Sequence, residues 1–185
     1  MKRNIIQIVA LALITATAGL NTLAQDSPGK VDFSRVAAPG QNAGIVDINV
    51  GPELIQLASR FVEKQEPEAA KLLQSVKLVR VNVLSFSDEN RDDLQKRMEA
   101  LRKELDGKGW QRIVTVQEKN GENVGVQLKM RGSEAVEGVF VSVLDGKKEA
   151  VLLNIVGDIK PEQISAVGQA LNIDAIKQAG KAIKK

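Results

Sequence analysis

Any chemistry this chain performs must be built from carboxylates, hydroxyls, amides, lysines and arginines, because its 185 residues include no His, no Cys and no Tyr. The usual ligands of transition metals and the usual nucleophile–base pairs are therefore missing. Three arrangements remain. Asp88, Asn90, Asp92 and Glu99 occupy the first, third, fifth and twelfth places of an EF-hand calcium loop. The sixth place, where that loop turns on a Gly, is Asp93, and the eighth, normally apolar, is Gln95. The preferred reading is an acidic helix N-terminus, favoured by the helix dipole and by the i,i+4 pairs Asp92–Lys96, Asp93–Arg97 and Glu99–Lys103. Ser27–Pro28–Gly29–Lys30 has the S-x-x-K spacing of serine acylases. Its central Pro–Gly prevents the helical turn that would bring the two side chains together. Carboxylates alone can hydrolyse glycosides, but no acid pair stands out, and the single tryptophan, Trp110, reads as a packing residue at a strand start. There is no Gly-rich phosphate loop and no dinucleotide fingerprint. No catalytic, cofactor-binding or metal-ligating residue is assigned, no cofactor is expected, and the chain is read as not an enzyme.

The elements follow from hydrophobic period. Residues 44–50 and 77–86 read as strands, the second with Val79, Val81 and Val83 on one face and Arg80 and Asn82 on the other. Between them, Leu54, Leu57, Ala58, Phe61 and Val62 recur at helical spacing after Pro52, and Pro67 starts a second short helix. Leu94, Met98, Leu101 and Leu105 form a narrow apolar stripe on a charged helix over 92–106, ended by Gly107. From Trp110 the period becomes two. Strands are expected over 110–117, 123–131, 136–144 and 149–155, with Asn120–Gly121, Gly132–Ser133 and Asp145–Gly146 as turns. Pro161 opens a further helix carrying Ile164, Val167 and Leu171. The order predicts an α+β fold: a twisted mixed or antiparallel sheet of five to six strands, with helices packed on one face.

The N-terminus reads as an export signal. Lys2 and Arg3 precede an uncharged run over 5–20 and a short polar stretch ending at Ala24. The domain plan is a signal peptide over 1–24, a flexible linker over 25–43 with Phe33 as a local hydrophobic tether, one α+β domain over 44–172 and a basic tail helix over 173–185. The expected location is the periplasm. The whole chain carries a formal charge of +3, and losing Lys2 and Arg3 leaves +1. Nothing in that balance, or in five scattered aromatic residues, suggests nucleic acid. The tail sets Lys177, Lys181, Lys184 and Lys185 around Ile176, Ala179 and Ile183. It could lie on an anionic membrane surface, but it has no large aromatic anchor, and a solvated helix end is the preferred reading.

The strands over 136–144 and 149–155 are apolar on both faces. Val139, Val141 and Val143 oppose Phe140 and Leu144, while Leu152 opposes Val151, Leu153 and Ile155. Double cover is the plainer explanation. The other is an uncovered apolar patch, rimmed by Gln127, Lys129 and Arg131, that binds a partner.

The chain resembles the bacterial family called domain of unknown function 4252. The likeness rests on the signal peptide, on GIVDINVGPELIQLASRF (44–61), on LLQSVKLVRVNVLSF (72–86), on Gly109–Trp110 and on IVGDIKPEQI (155–164). It implies a small exported protein of bacteria with a two-membrane envelope. The family has no established activity, so it supplies no functional residue. Some relatives carry a lipid-modified cysteine, which this chain lacks. The functional expectation is a non-enzymatic domain that binds an envelope protein, with Phe140, Leu144 and Leu152 as anchors. The alternatives are a binder or sensor of an apolar small molecule, and a hydrolase limited to carboxylates or Ser/Lys.

Overall fold

The computed structural model describes residues 27–36, 44–118, 121–145 and 148–164. The expected signal peptide and basic tail helix lie outside the described residues, as do Val167 and Leu171. Among the described residues, no helix is long and apolar enough to cross a membrane.

Runs rich in Val, Ile and Leu form six strands: β1 (Ile45–Val50), β2 (Val76–Ser85), β3 (Trp110–Gln117), β4 (Asn123–Arg131), β5 (Ala135–Leu144) and β6 (Glu149–Ile159). Three helices interrupt them: α1 (Pro52–Val62), α2 (Pro67–Ser75) and α3 (Arg91–Gly107). Pro opens α1 and α2, where a missing N–H costs nothing. Asp92 and Asp93 stand in the first turn of α3. Gly109, at φ +78°, takes the left-handed conformation that turns α3 into β3.

The strand order is β1-β2-β6-β5-β4-β3, and every pairing is antiparallel. The last four strands form a meander, while α3 carries the chain from the middle of the sheet to its far edge. The fold is thus α+β, as the sequence predicts, with an open antiparallel sheet.

The helices, however, do not share one face. Ile55 of α1 and Leu72 of α2 pack with Val81, Val139, Val141, Leu153 and Ile155. Leu94, Met98, Leu101 and Leu105 of α3 join Leu84, Trp110, Phe140, Leu144 and Leu152 on the opposite face. The physical reason is that the central strands are apolar on both faces, so each face needs its own cover. The expected flexible linker supplies part of it. Val31, Phe33 and Val36 are buried in the α3-side cluster, so residues 27–36 are a strap built into the fold.

Candidate interaction surface

The expected anchors do meet, but inside the protein. Phe140, Leu144 and Leu152 belong to one cluster, and each is 0% exposed. Phe33 of the strap lies 6.0 Å from Phe140 between ring centroids. The strap is held through its main chain. Asn154 Oδ1 accepts from the Val31 N–H at 2.9 Å, and its Nδ2 donates to the Gly29 and Val139 carbonyls at 2.9 and 3.1 Å. Arg80 donates to the Val31 carbonyl at 2.8 Å while its guanidinium sits 4.9 Å from the Phe33 ring centre. The patch expected around Phe140 is therefore closed to a partner. Neither is Gln127 a rim residue: it is buried, and its Nε2 donates to the Arg102 carbonyl and to Asp106. Lys129 donates to the Lys108 carbonyl, and Arg131 pairs with Asp158.

Of the residues weighed for calcium, Asp88, Asn90 and Glu99 have other partners. Asp88 pairs with Lys148 at 2.7 Å, and the Asn90 side chain accepts from the Ser87 N–H. The Lys148 ammonium holds the Asp88 carboxyl below its ordinary value. Glu99 and Asp106 converge on Arg112 at 3.0 and 2.8 Å. Arg102, buried beneath α3, donates to Ser142 Oγ at 2.8 Å and to Asn123 Oδ1 at 2.6 Å, with Glu99 at 3.5 Å. Burial pushes its guanidinium below its ordinary value, against the pull of Glu99. These groups tie α3 to the sheet. Among the described residues, no set of three or more acids gathers as a metal cluster would. The Pro28–Gly29 turn takes part in strap packing, with the Lys30 N–H donating to the Ser27 carbonyl at 2.8 Å.

The surface that stands open is on α1. Ile55 and Ser59 face inward, while Leu54 is 45%, Leu57 50% and Phe61 74% exposed. With Ala58, these residues occupy an arc of about 100° on one flank of the helix, by the rotation each residue makes about its axis. α1 contacts α2 and β2, whereas α2 contacts β2 and β6, so α1 lies toward the β1 end of the sheet. At that end Ile45 and Val46 are about half exposed. Val46 pairs with Val83 and shares its face with α1. The helical period of Leu54, Leu57, Ala58 and Phe61 was legible in sequence. Its outward direction was not, since apolar spacing alone reads as a core face.

An open six-stranded antiparallel sheet, covered on one side by α1 and α2 and on the other by α3 and a strap, defines a small α+β domain in which, among the described residues, the large exposed apolar side chains gather at one edge. The chain belongs to the family described as Domain of unknown function (DUF4252), whose model matches residues 40–167. No curated protein and no solved structure matches it.

Proposed function

We propose that this protein is a non-enzymatic interaction domain of the bacterial envelope, exported to the periplasm, which engages a protein partner through the outer flank of α1 and the β1 edge. The observation carrying this reading is the exposed row Leu54, Leu57 and Phe61 on a helix whose opposite side is docked. A ring exposed to 74% contributes little to the fold, and an apolar row rimmed by charged residues is common anatomy for binding. Glu53, Arg60, Glu63 and Lys64 supply such a rim. Export is supported by the charged start, the uncharged run and the small-residue end of the first 24 residues. Mass spectrometry of the mature protein should find Gln25 at its N-terminus; a retained Met1 would reject export by cleavage.

Chemical cross-linking in intact cells tests the interaction. The wild-type protein should yield discrete adducts of higher mass. A Leu57→Ser, Phe61→Ser variant should keep its fold and abundance but lose those adducts. Adducts unchanged in the double variant would remove α1 from the account.

A further inference from the structure

We propose that the partner at this surface is a second copy of the same chain, with β1 pairing antiparallel to its two-fold mate and the two α1 helices lying side by side above the seam. The proposal rests on the reading that this surface binds protein, and it names the partner. The two edges of the sheet differ. Among the described residues, β1 and β3 are the outer strands. β3 has a register shift against β4 between Arg112 and Val114, an irregularity that discourages edge pairing. β1 is regular over all six residues and contains no Lys, Arg or Pro. Its ladder with β2 uses alternate residues. The Ser85 N–H donates to the Gly44 carbonyl at 3.1 Å, so Gly44, Val46, Ile48 and Val50 turn inward along the register. Ile45, Asp47 and Asn49 thus turn their main-chain groups outward.

Charge rules out one register and strand overlap another, since centring on Asn49 would pair only residues 48–50 of the two strands. An antiparallel pair centred on Ile48 sets each Asp47 opposite the mate's Asn49. It also brings Val46, Ile48 and Val50 together on the α1 face. A slip that centres the pair on Asp47 would oppose two carboxylates, which is unfavourable. A two-fold axis normal to the sheet keeps both α1 helices on one face and runs them antiparallel. The antiparallel arrangement sets the first turn of one helix, which holds Glu53, beside the last turn of the other, which holds Arg60. Within its own helix, each charge sits at the dipole end of opposite sign. The exposed Leu54, Leu57 and Phe61 would fill the space between the helices.

Sedimentation of the purified mature protein across a concentration series tests this. The wild type should dimerise. Asn49→Pro removes an outward N–H while leaving the β1–β2 ladder its inward bonds. It should weaken the dimer by about tenfold or more, since each tenfold is only about 1.4 kcal/mol, with an unchanged circular dichroism spectrum. Asn49→Asp should weaken it through facing carboxylates, and Asp47→Lys combined with Asn49→Asp should restore it. That rescue keeps the test decisive if the Pro variant folds poorly. A wild-type protein monomeric at every concentration, or a double variant that fails to recover, overturns the self-pairing. If cross-linked adducts then persist in cells and depend on Leu57 and Phe61, the interaction reading stands with a different partner. If they vanish too, both fall.

Discussion

Asn154 shows how one buried side chain decides the path of a segment far away in sequence. Its amide satisfies one N–H and two carbonyls, joining the strap to β5. Replacing it with Ala strands those groups in an apolar site, at about 1–3 kcal/mol for a buried group left unpaired. Urea unfolding should show that loss, and limited proteolysis should cut within 27–36 sooner. Gly138 matters for a steric reason: a Cβ there would stand 2.6 Å from both the Gly29 carbonyl oxygen and the Trp110 ring. At Asp32, the Ser34 N–H and hydroxyl hold the carboxyl below its ordinary value. A carboxyl lowered in the folded state adds stability above its unfolded value, about 3.9, and loses it as pH falls through the lowered value. Protease sensitivity of the strap should therefore rise at the acid end of that window, and Asp32→Asn should flatten the dependence. Sequence placed Arg80 and Asn82 on one polar strand face. The missing information was that a strap would bring backbone groups to be bonded there.

At the scale of elements, period was a sound guide and direction was not. The alternation in β2 to β4 and the Leu94–Met98–Leu101–Leu105 stripe are set by local geometry, and each falls in its expected element, while β6 runs past the expected end at 155 to Ile159. Which face a helix covers depends on chain crossing. α3 must travel from β2 to the far edge, and the face left open to it is the one opposite α1 and α2. Within 27–36, Pro28 and Gly29 suit a linker, while Val31 and Val36 are buried beside Phe33, the residue expected to tether it. Two substitutions separate docked from free helix faces. Leu101→Ala, beneath α3, should cost about 2–5 kcal/mol by removing buried carbons and leaving a cavity. Phe61→Ser on the outer flank of α1 should alter the stability of the isolated domain by no more than about 0.5 kcal/mol, as exposed substitutions do. Equilibrium denaturation of the two variants checks both.

For the whole molecule, the sheet is covered on its two faces and unequal at its two edges. The β3 edge has a register shift between Arg112 and Val114. The β1 edge is regular and lies at the end of the sheet where α1 presents its exposed row. The sequence showed apolar strands with two faces, and their burial closed the patch expected at Phe140, Leu144 and Leu152. It gave no sign that the free surface would instead be a helix flank, because a helix that binds outward and one that packs inward have the same period. The family supplies no residue roles, so the surface itself has to be tested. The most direct measurement is photo-cross-linking in intact cells from a reactive residue placed singly at positions 46 and 61, on the β1 end, and at 111 and 115, on the β3 edge. The account predicts one discrete protein adduct from 46 and 61, the same in both cases, and none from 111 and 115. Adducts confined to the β3 positions, or equal from all four, would contradict it.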